Sequence, residues 1–361
     1  MENTHVVLRP VSGLCNYHCE YCFSNRGSSD RGGKSIGLMT LETLEQVIRK
    51  TLSQNRGEFN LTFQGGEPMM AGLSFYQKTL EYEEIHNIHG SSVHNVIQTN
   101  GSFIDEEWTR FFTANDFSIE VSLDGIKSCH DYYRKDYMSH DTYAATVKRI
   151  GLLSRYKADF HVVTAVNDLT SRHAADIYNF YKKKRWNSIN LVPCMGEPGQ
   201  SHILTSEQYG SFLKQLFDLW YEDLQSGRYV YIRYFADLLL LMEGRSPSDC
   251  SVCGSCRKQY VVESNGDVYP CSYYVKDKYK LGNLVVDNLE MIDRKREELR
   301  FIEASMEKNT ECSSCPWYPL CRNGCRRHRE TGESLEKTIF CEAYRDFLSY
   351  AKERLTECLK I

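Results

Sequence analysis

The stretch Cys15-Asn16-Tyr17-His18-Cys19-Glu20-Tyr21-Cys22-Phe23 decides how the chain is read. It follows an apolar, β-branched run, His5 to Val11, that reads as a first strand. Three thiolates on one short loop can hold three irons of a cubane cluster, whereas a fully ligated cluster takes four cysteines. The fourth iron is then open, much as a catalytic metal site keeps one position open. The alternative on these residues alone is a zinc loop that borrows a histidine such as His18.

Outward from this loop, strand-like and helix-like segments alternate. Further apolar runs are Asn60 to Gln64, Val93 to Gln98, Ser118 to Leu123, Phe160 to Val166 and Ser188 to Val192. Between them lie amphipathic stretches at Leu41–Leu52, Phe75–Ile88, Asp105–Thr113, Tyr143–Ser154 and Ser171–Lys183. This alternation predicts βαβ units and a parallel sheet, with chemistry gathered at the C-terminal ends of the strands. No GxGxxG fingerprint accompanies it, so a barrel or part of one is expected rather than a dinucleotide fold. From Thr205 to about Gly244 the pattern is helical and aromatic, which suits core-facing packing. Beyond Cys250, Gln259–Pro270 alternates around Asn265-Gly266 and predicts a hairpin. A last helix is expected over Cys341–Leu359. These changes of character place a domain boundary near residues 235–250, giving 1–235 and 236–361.

The chain has fifteen cysteines, and twelve fall in groups toward its two ends. Between Ser24 and Asp249 only Cys129 and Cys194 occur. A disulfide scaffold would spread its bridges, and Met1 to Pro10 lacks the basic start and apolar core of a secretion signal. Metal ligation is therefore the expected use. Net charge is -4, which argues against a broadly basic nucleic-acid surface. The longest apolar candidate, around Leu238 to Met242, is far too short to span a bilayer. A cytoplasmic protein with neither membrane nor nucleic-acid partners is expected.

CxxxCxxC followed by the aromatic Phe23 resembles the radical S-adenosylmethionine (SAM) superfamily. Three strand-end motifs extend the resemblance: Gly65-Gly66-Glu67-Pro68, Gln98-Thr99-Asn100-Gly101 and Ser122-Leu123-Asp124-Gly125. The resemblance implies an α/β fold, a partial (β/α)6 TIM-type barrel, that binds SAM on the open iron. Reduction then cleaves SAM to methionine and a 5′-deoxyadenosyl radical. Gly65, Gly66 and Glu67 would hold the methionine ammonium, with Gln64, Gln98 and Asn100 on the same rim. Ser122 and Arg134, the latter in His130-Asp131-Tyr132-Tyr133-Arg134, would grip the carboxylate.

The C-terminal cysteines resemble the SPASM extension, so residues 236–361 would be a SPASM-like auxiliary cluster domain. By that resemblance Cys250, Cys256, Cys271 and Cys325 would hold one auxiliary cluster. Cys312, Cys315, Cys321 and Cys341 would hold a second, and Cys253 would be spare. Two structural zincs are the rival use of such cysteines. Three 4Fe-4S clusters and SAM are the implied cofactors. Cys129, Cys194 and Cys358 read as ordinary thiols.

The match runs over nearly the whole chain to the anaerobic sulfatase-maturating enzymes, through the cysteine spacings, Phe160–Asn167 and Asp277-Lys278-Tyr279-Lys280-Leu281-Gly282-Asn283. Those enzymes oxidise a serine or cysteine of a sulfatase to formylglycine. The radical removes a Cβ hydrogen, a base takes the remaining proton, and the electron leaves through the clusters. Two positions depart from them. Ser272 follows Cys271 where the maturases carry the Asp that is their candidate base, and Ser24 follows Phe23 where they place a Tyr soon after the third cysteine. A serine hydroxyl is a poor proton acceptor at neutral pH. The expectation is thus a maturase-like enzyme acting on a peptide or protein, with an electron donor such as flavodoxin or ferredoxin. Thioether or carbon–carbon cross-linking, epimerisation and side-chain oxidation stay open as its outcomes. Ser272, Asp124 and Asp277 are the base candidates. The alternatives are a true formylglycine-forming maturase, an iron–sulfur electron carrier and a zinc-stabilised binding module.

Overall fold

The computed structural model describes residues 3–24, 36–196, 200, 202–331 and 334–360. The strands that frame the site are, in chain order, β1 (Thr4–Arg9), β2 (Tyr17–Cys19), β3 (Glu58–Phe63), β4 (Ser92–Thr99), β5 (Ser118–Ser122), β6 (Arg134–Asp136), β7 (Phe160–Val166), β8 (Ser188–Pro193), β9 (Tyr231–Ile232), β10 (Tyr260–Glu263), β11 (Asp267–Tyr269) and β12 (Gly282–Asn283). The fold is α/β with a mainly parallel sheet, in keeping with the partial barrel expected of it.

The chain divides into two compact units. The first comprises 1–121, 134–160 and 258–301; the second comprises 122–133, 161–257 and 302–361. In the first unit the strand order is β12-β11-β10-β1-β3-β4-β5. β1 is parallel to both β3 and β10, with Val6 opposite Leu61 on one side and Tyr260 on the other. Flanked on both edges and covered on both faces, Val6, Val7 and Leu8 are buried, which explains their unbroken apolar run. The hairpin expected over 259–270 forms as β10 and β11, with Gly266 at φ +86° in its turn. It is no detached element. Val261, Tyr269 and Val275 bury against Val7, and Arg9 forms a buried ion pair with Glu263 at 2.8 Å. The apolar edge of β1 takes its partner from residues some 250 positions later, a pairing that composition along the chain does not display.

In the second unit, β7, β8 and β9 are consecutive and parallel. The aromatic stretch beyond Thr205 forms helices Ser206–Gln225 and Arg233–Met242. They bury Phe217, Trp220 and Phe235 together with Phe347 of the last helix, Cys341–Cys358. Among the described residues no helix is long and apolar enough to cross a membrane.

One buried pair in the first unit carries a stability prediction. Asn95 on β4 donates through Nδ2 to Oε2 of Glu83 at 3.0 Å, while Glu83 Oε1 and Asn95 Oδ1 are buried acceptors without a donor. Burial lifts the Glu83 carboxyl from 4.5 to about 7. Its folded-state affinity for the proton is raised, so its contribution is full below about pH 4.5 and is lost as pH rises through about 7. The shift corresponds to about 3 kcal/mol. Glu83→Gln, which keeps an acceptor for Asn95, is expected to raise Tm clearly near pH ~8 and little near pH ~5. Thermal unfolding at both values checks this; an equal effect at both would exclude the proton as the cause.

Candidate active site

The cluster-type loop is held from three directions within the first unit. The chain leaves β1 through Ser12, in the left-handed region at φ +52°, and then presents Cys15, Cys19 and Cys22. β2 pairs antiparallel with β6, setting Cys19 opposite Arg134. The Cys22 N–H closes a turn onto the Cys19 carbonyl at 3.1 Å.

The Gly65-Gly66-Glu67 loop at the end of β3 is stitched onto this loop. The Gly66 N–H donates to the Ser12 carbonyl at 2.9 Å, and the Glu67 N–H to the Leu14 carbonyl at 2.7 Å. A Cβ on Gly66 would lie 1.7 Å from the Leu14 oxygen, and Gly65 sits at φ +128°. Glycine is required at both positions by close backbone approach and by conformation. Pro68 then starts a short 3-10 turn.

Glu67 ties two strand ends together. Its carboxylate is fully buried and accepts from Met69 N at 3.1 Å, Thr99 Oγ1 at 2.7 Å and Asn100 N at 2.7 Å. Burial lifts it to about 7 against the opposing pull of those three donors. Through these bonds Glu67 clamps the end of β4 to the glycine loop, and its three donors leave one of a carboxylate's four or so acceptor sites unused. Asn100 then turns toward the cysteines. Its Nδ2 donates to Asn16 Oδ1 at 3.0 Å and lies 3.7 Å from Cys15 Sγ. Gln98, also expected on this rim, is half-buried on β4 opposite Glu120.

Further N–H groups point at the thiols. Tyr17 N is 3.4 Å from Cys15 Sγ, and Arg134 Nη1 is 3.9 Å from Cys19 Sγ. Arg134 is nearly buried, with its guanidinium over the Tyr21 ring at 5.2 Å. Burial pushes the Cys15 thiol up to about 11. A thiolate there needs the positive charge of bound iron, and donors around its sulfur are what a cluster's outer shell supplies. The residues fit a cluster. Tyr137, just past β6 and close enough to sense all three cysteines, was not singled out in the sequence; only the β2–β6 pairing brings it there.

Ser272 enters this neighbourhood from the hairpin. Gln64 Nε2 donates to Ser272 Oγ at 2.8 Å, and Phe23 packs on Tyr273 with ring centroids 4.6 Å apart. The residue after Cys271 is thus joined to the one before Gly65, 208 positions away. Asp277 is exposed. In the second unit, Ser122 is half-buried, while Asp124 is fully buried and accepts from Ala165 N at 3.0 Å.

The C-terminal cysteines of the second unit fall into two neighbourhoods. Thiolates at Cys325, Cys256 and Cys253 each raise the proton affinity of Cys250, and those at Cys341, Cys312 and Cys315 do so at Cys321. Burial pushes Cys321 up to about 12. Among the described residues no three or more His, Cys, Asp or Glu side chains converge on one single-ion position. In a cubane each cysteine takes a different iron. Asp237, fully buried, accepts from Ser248 N and Asp249 N and so anchors the entry to Cys250. Cys253 Sγ accepts from Arg257 Nη2 at 3.2 Å.

Residues 10–181 match the radical SAM superfamily, and residues 250–316 match an iron–sulfur cluster-binding domain. The chain is 37% identical to the cysteine-type anaerobic sulfatase-maturating enzyme of Clostridium novyi (strain NT), over all of this chain and 98% of that one. It is 30% identical to the serine-type enzyme of Bacteroides thetaiotaomicron, over 90% of this chain and 83% of that one. A solved structure of native anSMEcpe with bound AdoMet and Kp18Cys peptide superposes with a TM-score of 0.95 at 36% identity, covering 99% of both chains.

Proposed function

We infer, for a chain that belongs to the radical SAM family of anaerobic sulfatase-maturating enzymes, that it modifies a side chain or backbone position of a peptide or protein. One observation carries this: the glycine loop is seated on the three-cysteine loop with no room for a side chain at Gly66. A backbone so placed offers carbonyl groups to the ammonium of a small zwitterion beside the cysteines.

In this reading Cys15, Cys19 and Cys22 hold a 4Fe-4S cluster. SAM bound there supplies the 5′-deoxyadenosyl radical that takes a hydrogen atom from the substrate. The chain's own work is orientation. The backbone at Gln64, Gly65 and Gly66 meets the methionine ammonium, with Glu67 and Asn100 holding that backbone and the cysteine loop in register. Arg134, stacked on Tyr21, presents its guanidinium to the carboxylate. Ser122 as the second carboxylate partner, and Cys271 as a ligand with Cys250, Cys256 and Cys325, rest on the resemblance. Cys312, Cys315, Cys321 and Cys341 hold a second auxiliary cluster, making three in all. Flavodoxin or ferredoxin is the electron-donor class proposed.

At the substrate-side position Ser272 offers a hydroxyl bonded to Gln64 and no carboxylate. The reaction proposed is therefore one that does not need a base there to finish an aldehyde. Formylglycine formation is the second reading, favoured by the full-length identity to cysteine-type enzymes.

Anaerobically reconstituted protein is expected to carry iron and sulfide for three clusters and, with a strong reductant, to release 5′-deoxyadenosine from SAM. Iron, sulfide and nucleoside analysis check this. Stoichiometric zinc with little iron, and no SAM cleavage, would sink it in favour of a binding module.

A further inference from the structure

Between Cys321 and Cys325 the backbone does something found nowhere else among the described residues. Arg322, Asn323 and Gly324 lie in the left-handed region in succession, at φ +47°, +67° and +68°. Asparagine tolerates this conformation better than most residues, but a run of three is costly and needs a purpose. Successive N–H groups in such a turn form a concavity suited to negative charge.

The side chain of Asn323 is the second observation. It is 3% exposed. Its Oδ1 accepts from Thr338 N at 3.0 Å, which fixes the orientation of the amide. Thr338 in turn accepts from Cys341 N at 2.9 Å. The amide is thus held between the segments that carry Cys321 and Cys341, two cysteines of one neighbourhood. Its Nδ2 is buried and has no partner in the protein. A buried donor left without an acceptor is rare and costs free energy unless something accepts from it.

We propose that Asn323 Nδ2 donates a hydrogen bond to the iron–sulfur cluster held by Cys312, Cys315, Cys321 and Cys341. The acceptor is a thiolate or bridging sulfide of that cluster. Asn323 is thereby a positioning and tuning residue: its side-chain donor favours the more negative, reduced cluster and raises its reduction potential. The inference rests on the cluster reading of these four cysteines. It explains why a left-handed, non-glycine residue stands at this point: glycine would satisfy the turn but not supply the amide.

The test uses the full-length chain with Cys15, Cys19 and Cys22 replaced by Ala, so that only auxiliary clusters contribute signal. Asn323→Gly keeps the backbone conformation and removes the donor. Asn323→Asp keeps the acceptor for Thr338 N and replaces the donor with an anionic oxygen. With wild-type iron content, one midpoint potential is expected to move negative in Asn323→Gly and further in Asn323→Asp, followed by electron paramagnetic resonance during redox titration. Midpoints that stay put with full iron overturn the inference alone. Auxiliary clusters absent from the parent chain overturn the cluster reading and the inference with it. An independent readout covers variants that lose the cluster. In the parent chain grown with 15N-asparagine, electron–nuclear double resonance of the reduced clusters is expected to show a nitrogen coupling. A spectrum without that coupling overturns the inference whatever the variants do.

Discussion

The full-length chain carrying Ala at Cys15, Cys19 and Cys22 is expected to release no 5′-deoxyadenosine above the enzyme-free background. It should keep iron on its C-terminal cysteines. The first expectation follows from the geometry of one loop. The N–H groups aimed at Cys15 and Cys19, and the glycine loop stitched to Ser12 and Leu14, all serve atoms that these three thiols would bind. Loss of an outer-shell partner commonly costs about 10–100-fold in metal affinity or activity, so loss of all three ligands should exceed about 100-fold. The second expectation follows from location. Cys250, Cys256, Cys312, Cys315, Cys321, Cys325 and Cys341 belong to a different compact unit from the loop. Anaerobic purification, iron analysis and chromatography of the nucleoside product decide the matter. SAM cleavage persisting in the triple variant would show that the reactive centre lies elsewhere.

Ser272→Asp is expected to gain formylglycine formation on a cysteine-containing sulfatase peptide, by roughly 100-fold or more over a wild type that makes little. A positioned general base commonly contributes about 10²–10⁴-fold, and that sets the scale. Forming a carbonyl after hydrogen abstraction requires a second proton to leave the substrate. Ser272 is a poor acceptor for it. A carboxylate at the same position would meet the Gln64 amide that now reaches Ser272 Oγ at 2.8 Å. Neither other candidate replaces it as the structure stands: Asp124 is fully enclosed and bonded to Ala165 N, and Asp277 faces solvent. Mass spectrometry of the peptide after reaction with both forms gives the answer. Efficient aldehyde formation by the wild type would defeat the proposal and establish formylglycine chemistry for this chain.

By itself the sequence determined the class of fold, the cysteine-rich loop and the order of the motifs at the strand ends. These are local properties. Alternating strand and helix patterns report short-range burial, and CxxxCxxC reports thiol spacing along a few residues. It also singled out Ser272 as a departure, because a missing carboxylate is visible in one letter. Only the tertiary structure decided what several of those residues do. Glu67 reads as a ligand in the motif. Its partners Thr99 and Asn100 lie 32 and 33 positions away, and only when β3 and β4 lie side by side do they reach its two oxygens and make it a clamp as well. The same limit applies to residues 258–301, where β10 completes the open edge of β1, a pairing that composition along the chain does not display. Gln64 and Ser272 meet for the same reason. Asn323 shows the limit at short range: its neighbours in sequence are evident, but its unpaired amide appears only when Thr338 takes the oxygen and burial removes water from the nitrogen. Local pattern is set by neighbours along the chain, whereas the role of a polar group is set by which distant donors and acceptors folding brings within about 3 Å of it.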